Sequence, residues 1–308
     1  MKNRLLHILL FLIILIITDQ LIGTAISFFS QKQIRDNRIG LLLDGQINSD
    51  IIIVGSSRAL NNYNPEIISD ATGRSCYNFG LSGSNILYHE AIINLMIHQN
   101  KKPSLIIYSV DDHATFYEIP NIIFRKDVLY PFVYDDEVNK FVSLQLKKNT
   151  LATKFSKTYR ENMNFVNALK FPIYGQEIVD YKTNHLDRNG ANLLIMRKED
   201  PPATFRNLKI NVDNLHISLK YWASFRRIQE NCQKTDIKII FVLPPVYING
   251  YPGFKKILDE AVLNDSPVYD YTNSISDSTL FFNGDHLNNK GADWFTQNLT
   301  QHLKEHKR

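Results

Sequence analysis

The run Ile51-Ile-Ile-Val54 sets the fold class. Four consecutive β-branched residues without polar alternation suit a strand covered on both faces, as in a parallel sheet between helical layers. Gly55-Ser-Ser-Arg58 ends the run; Asn64-Pro65 then opens a short helical stretch to about Ala71, which Gly73 stops. The same rhythm returns twice. A strand over 75–79 leads into the loop Gly80-Leu-Ser-Gly-Ser84 and a helix over 86–98, and a third buried strand covers 105–110.

The segment from about 114 to 213 departs from this rhythm. It is rich in Tyr, Phe, Asn and Lys and has no strand run, which predicts an insertion of short helices and loops. From Asn214 the stripe Ile217, Tyr221, Phe225, Ile228 and Cys232 predicts a helix. A strand over 237–243 follows, stopped by Pro244-Pro245, then a helix over 254–263, a strand over 268–271 and a terminal helix over 291–304. Strands alternating with helices imply right-handed crossovers and a parallel sheet. The expected architecture is α/β: a flavodoxin-like three-layer sandwich with a five-stranded parallel sheet in the order 2-1-3-4-5. It occupies 50–308, interrupted by the insertion, with 30–49 as a linker or first helix.

The amino terminus reads differently. Lys2 and Arg4 precede an apolar run over 5–17, broken only by His7; Thr18-Asp-Gln20 follows, and 21–29 is again mostly apolar. A span needs about 20 residues, so a crossing segment would include Asp19. At mid-bilayer a carboxylate costs roughly 2.5–3.5 kcal/mol, and less toward an end, where Asp19 lies. An uncleaved signal-anchor over 1–29 is the favoured reading, because positive charge precedes the run. A cleaved signal peptide, using small residues at Gly23 and Ala25, and a buried helix of the folded domain are the alternatives. Either of the first two places the rest of the chain outside the cytoplasm. Cys76 and Cys232 could pair there, but spacing does not say whether they meet.

Several classes are excluded. Two cysteines cannot build a disulfide scaffold or a four-cysteine zinc site. A net charge of +4, evenly spread, does not suit nucleic acid. There is no Gly-x-Gly-x-x-Gly after the first strand and no P-loop, so no nucleotide, metal or other cofactor is implied.

In parallel sheets the site lies at the carboxyl ends of the strands. After the first strand, Ser57 sits at a strand-to-helix turn, where a nucleophile is exposed and its own N–H faces a developing oxyanion. After the second, Gly80 and Gly83 permit close approach, and Asn85 follows. After the fifth comes Asn283-Gly-Asp285-His286-Leu-Asn288, with a candidate base beside an acid. His89, His98, His185 and His216 lack a partner nearby in sequence.

Together these blocks resemble the SGNH (GDSL-like) hydrolase superfamily. Gly55-Ser56-Ser57 is similar to its Gly-Asp-Ser block, with Ser57 as nucleophile and Ser56 replacing Asp. Gly80-Leu-Ser-Gly83-Ser resembles its second block, which implies an oxyanion N–H from Gly83. His286, followed by Leu-Asn and Gly291-Ala292, resembles the last block. The resemblance covers roughly 50–110 and 214–303, and is stronger toward membrane-anchored, extracytoplasmic members that occur with cell-envelope polysaccharide systems.

Two positions depart from the family pattern. Where the family has an oxyanion-donating Asn, this chain has about Asp112, whose negative charge would repel an oxyanion; either Asn85 or the Arg58 side chain replaces the donor, or the third donor is absent. Three residues before the histidine, where the family has Asp, stands Asn283; Asp285, Asp111 or Asp112 could act instead. The resemblance implies an esterase or acyltransferase acting on an acylated glycan or other ester, with envelope polysaccharide machinery as partner. The competing expectation is an inactive accessory protein. Phe116, Tyr117, Tyr130, Phe132 and Tyr134 are either a platform for sugar rings or packing within the insertion.

Overall fold

The computed structural model describes residues 2–32, 34–99, 102–112, 115–146, 150–161, 187–196, 200–205, 216–248, 253–263 and 266–305. His113, His185 and the helix start expected at Asn214 lie outside them. The chain forms two compact units, Met1–Leu43 with Arg125–Lys182, and Asp44–Phe124 with Thr183–Arg308. Part of the expected insertion therefore belongs to each unit.

The second unit carries the sheet. Strands β1 (Ile51–Val54), β2 (Cys76–Asn78), β3 (Leu105–Ser109), β4 (Lys238–Leu243) and β5 (Val268–Asp270) are all parallel, in the order β2-β1-β3-β4-β5. This is the expected α/β sheet. Its central register aligns Ile52 with Ile106 and Ile106 with Ile239. Both faces are apolar because alternate residues of each central strand point to opposite helical layers. Ile51, Ile53, Leu105, Ile107, Ile240 and Val242 join one buried cluster with Ile68, Phe295 and Leu299. On the other face the rings of Tyr108 and Phe241 meet Phe225 at 6.1 and 4.9 Å.

In chain order the helices are α1 (Lys2–Ser30), α2 (Ile34–Leu43), α3 (Ser57–Asn62), α4 (Pro65–Thr72), α5 (Ile86–Ile97), α6 (Lys126–Leu129), α7 (Asp136–Leu146), α8 (Leu151–Phe155), α9 (Lys157–Arg160), α10 (Leu219–Lys234), α11 (Phe254–Ala261) and α12 (Asn289–Glu305). Local chemistry sets their ends. The Asn64 side chain accepts from Glu66 N to start α4, and Gly73, at φ 68°, ends it in the left-handed conformation. Ser218 caps α10 by accepting from Tyr221 N. Ile217, expected on the apolar stripe of this helix, precedes it and bridges Tyr117 instead. The terminal helix begins at Asn289, two residues before its expected start, because Asn288 Oδ1 accepts from Gly291 N.

In the first unit, α1 is 29 residues long, about 43 Å at 1.5 Å per residue. It is long and apolar enough to cross a membrane, and Leu5, Phe11, Ile14 and Leu21 among its side chains are exposed.

Candidate active site

The β1–α3 turn places Ser57, the candidate nucleophile. Gly55 has φ 155°, and a Cβ there would lie 2.8 Å from both Ser109 O and Ala59 Cβ, so glycine is required for the chain to turn this tightly. Ser56 is buried and donates to Asp111. Ser57 opens α3 and donates from Oγ to His286 Nε2, 2.8 Å away.

A tight turn after β5 holds His286. Phe281 and Leu287 pair across it, and Phe282 N donates to His286 O at 2.9 Å. Leu287 N donates to Asn62 Oδ1 of α3 at 3.0 Å, tying this turn to the helix that begins with Ser57. The His286 ring meets Asn283 Oδ1 through Nδ1 at 3.0 Å. The same oxygen accepts from Asp285 N at 2.9 Å and His286 N at 3.0 Å. Two backbone donors therefore fix which end of the Asn283 amide faces the ring. Nδ1 must carry the proton, and Nε2 presents its lone pair to Ser57. That is the tautomer a general base needs.

Asp285, another of the sequence candidates for the ring's partner, points to Arg58 at 3.4 Å. Arg58 lies wholly inside and also meets Asp112 at 3.1 Å and Asp111 at 3.5 Å. Burial alone would lower its pKa; Asp112, Asp111 and Asp285 outweigh that and hold it above its ordinary value. Asp112 is thus ion-paired, sharing the one guanidinium with two other carboxylates. The Arg58 side chain, considered as a substitute oxyanion donor, is engaged by these three carboxylates.

The loop after β2 runs beside α3. Phe79 N donates to Ile53 O and Leu81 N to Gly55 O. A Cβ on Gly80 would come within 2.4 Å of Leu60 N, so the two backbones touch only because this residue is glycine. Gly83 is left-handed at φ 70°, and its carbonyl accepts from Ile123 N at 2.9 Å. Asn85 is committed elsewhere: its Oδ1 caps α5 through Leu87 N and its Nδ2 donates to Tyr221 Oη at 2.7 Å. One of the two Nδ2 hydrogens of Asn85 is thus given to Tyr221.

Other singled-out residues have structural surroundings. His89 is buried between Ser84 Oγ (2.9 Å) and Tyr108 Oη (2.8 Å), and burial pushes its pKa down to about 3. Cys76 and Cys232 are both buried and free, and burial pushes the Cys232 thiol up to about 12. Phe116 and Tyr117 are buried, Phe116 against Trp222 and Phe225, so these two pack rather than offer a sugar platform. Among the described residues no group of three His, Cys, Asp or Glu is placed to hold a metal ion.

A cleft of ≈ 340 Å³ opens at the carboxyl ends of β3, β4 and β5. Arg58 and Asp112 form part of its wall, with Phe205, Pro244, Val246 and Asp270. Sequence reasoning did not find the Arg58 cluster as a unit or the Asn62 tie, because their members stand up to 227 residues apart.

No protein-family model and no curated protein matches the sequence. Among solved structures, the chain is similar to an acetyl xylan esterase, Est2A, from the rumen bacterium Butyrivibrio proteoclasticus, with 9% identity and a TM-score of 0.35. The alignment covers 83% of this chain and spans 63% of the length of that esterase.

Proposed function

We propose that the chain is a serine esterase or O-acyltransferase, held to a membrane by α1 with its α/β unit outside the cytoplasm, and acting on acyl esters, acetyl foremost, of cell-envelope glycans. The observation that carries the reading is the hydrogen-bonded line from Ser57 Oγ through His286 to Asn283 Oδ1. Ser57 Oγ attacks the ester carbonyl while His286 Nε2 takes its proton. The tetrahedral oxyanion is held by the N–H groups of Ser57 and Gly83. As the intermediate collapses, the C–O bond to the alcohol breaks and His286 returns the proton to that alcohol. Water, or a sugar hydroxyl, then resolves the acyl-enzyme by the same steps in reverse. Asn283 orients the ring and fixes its tautomer; Asp285 stabilises the turn through Arg58. Envelope polysaccharide machinery would supply or receive the glycan.

One observation favours a second reading, an inactive accessory protein that binds a glycan or an assembly partner. The group against His286 Nδ1 is an amide, which cannot stabilise an imidazolium by charge. The two readings separate in one experiment. Full-length protein in detergent is treated with a fluorophosphonate probe and analysed by mass spectrometry, with Ser57→Ala and His286→Ala as controls. Labelling of Ser57, lost in both variants, supports the enzyme. Absence of labelling in folded protein supports the accessory role.

A further inference from the structure

The segment that follows α7 combines features that oppose one another on a protein surface in water. Leu151 and Phe155 are each 66% exposed and Tyr159 is 49% exposed, three large side chains within nine residues. Yet the backbone around the α8–α9 break has its polar groups satisfied from within. Arg160 Nη1 donates to Thr153 O and Lys154 O, and Tyr134 Oη also donates to Lys154 O. Gln20 Nε2 donates to Phe155 O, and Arg160 N and Glu161 N donate to Ser156 O and Lys157 O. On the donor side, Lys157 N and Thr158 N go to Asp19, and Tyr159 N goes to Ser156 Oγ. Satisfied backbone beneath outward apolar side chains is what hydrocarbon demands, whereas a break in water leaves its helix ends to solvent.

Position along α1 agrees. The docking residues on α1 are Asp19, Gln20, Gly23 and Thr24, with Lys157 Nζ donating to Thr24 Oγ1 at 3.0 Å. A Cβ on Gly23 would lie 2.6 Å from Lys157 Cβ, so α9 lies directly on the α1 backbone. Counted from Leu5, about 20 residues fill a 30 Å hydrocarbon layer, which ends near Thr24. Asp19 then lies about 7.5 Å inside that boundary. Its carboxylate is taken up by Ser156 Oγ and two backbone N–H groups, which offsets the cost of holding it there.

We infer that the α8–α9 segment is a second membrane-inserted element, a wedge that packs on α1 through Asp19 and buries Leu151 and Phe155 in the outer leaflet of a phospholipid bilayer. The inference rests on the reading of α1 as a membrane anchor. The wedge packs on α1 at Asp19, Gly23 and Thr24, and Leu21 and Ile22 between these docking residues are themselves exposed, so a bilayer that reaches this part of α1 also reaches the wedge. Lys154 lies between the two apolar residues, and its head can extend toward phosphate headgroups while its stem lies in lipid.

The test uses full-length protein in vesicles of brominated phosphatidylcholine, in a background where Trp222 and Trp294 are replaced by Phe. Leu12→Trp reports α1, and Phe155→Trp reports the wedge. Quenching of both supports the inference. Quenching at residue 12 without quenching at 155 overturns it and leaves the anchor standing, the wedge being covered by water or protein. Quenching at neither position overturns the anchor and the wedge with it. A second readout, Leu151→Cys, should lose labelling by a charged maleimide in vesicles, while Lys220→Cys on α10 retains it; equal labelling of the two overturns the inference.

Discussion

Asn283 holds His286 through a single oxygen that also accepts two backbone N–H groups, so the ring's proton is placed without a carboxylate. An amide in this position supplies orientation and tautomer. It does not supply the charge that would stabilise the imidazolium formed as Ser57 loses its proton.

It follows that Asn283→Asp should accelerate the proposed chemistry. The carboxylate would keep the two backbone hydrogen bonds and add an attractive charge beside Nδ1. The reverse change in a serine protease costs about 10,000-fold, so a gain of at least about tenfold in the rate of Ser57 labelling is expected. Asn283→Ala should slow labelling, because the ring then loses its orienting acceptor. A rate unchanged in both variants would show that residue 283 does not act through His286.

Among the described residues Arg58 is the one cation that pairs with all of Asp111, Asp112 and Asp285, so the cluster is sensitive to losing its centre. Arg58→Met should destabilise the chain by about 3–5 kcal/mol, since removing one partner leaves uncompensated buried charge. Asp285→Asn should cost much less, because the Asp285 side chain keeps 25% of its exposure. Pairing Arg58→Met with Asp112→Asn should recover part of the loss. Urea unfolding of these variants, of Asp112→Asn alone and of the wild type checks all of this; additive effects of Arg58→Met and Asp112→Asn would mean that this ion pair is not coupled.

Gly80 and Gly73 offer a matched comparison. A methyl group on Gly80 would strike the α3 backbone at Leu60 N, whereas at Gly73 nothing lies within 4 Å and only the left-handed conformation resists the change. Gly80→Ala should cost about 1–3 kcal/mol as overpacking and displace the helix that carries Ser57. Gly73→Ala should cost about 1–2 kcal/mol for its backbone alone. Labelling of Ser57 should fall in the first variant and persist in the second. Equal labelling would separate the fit of Gly80 from the placement of the nucleophile.

The central strands β1, β3 and β4 were readable because they are apolar runs with Gly55, Pro103 and Pro244 at their ends, and buried parallel strands have few other ways to look. Ser57 and His286 were readable as candidates because parallel sheets gather residues at the carboxyl ends of their strands. Their hydrogen bond was not, since it joins positions 229 residues apart. The capping role of Asn85 was not readable, since a helix cap and an oxyanion donor use the same residue type in the same loop, and only the partner, Leu87 N, reveals the cap. Asp19 looked like a cost in an apolar run. Its compensation comes from residues 156–158, more than 130 positions later, and no local pattern announces it.

His89 gives the pH dependence. Burial first of all holds its folded pKa at about 3, whereas an unfolded histidine titrates near 6.5. Between these values the unfolded chain binds a proton that the folded chain refuses. Stability from this residue is therefore complete above about pH 6.5 and falls as pH drops toward 3, by up to about 1.4 kcal/mol per pH unit. His89→Gln keeps a polar side chain between Ser84 and Tyr108 but cannot take up the proton. It should lower stability at pH 7, where two hydrogen bonds are disturbed, and flatten the acid slope by about one proton. Unfolding free energies measured at pH 7, 6, 5 and 4 for both proteins test the sign directly. Parallel curves would mean that His89 binds its proton equally in the folded and unfolded chain, and that burial does not exclude it.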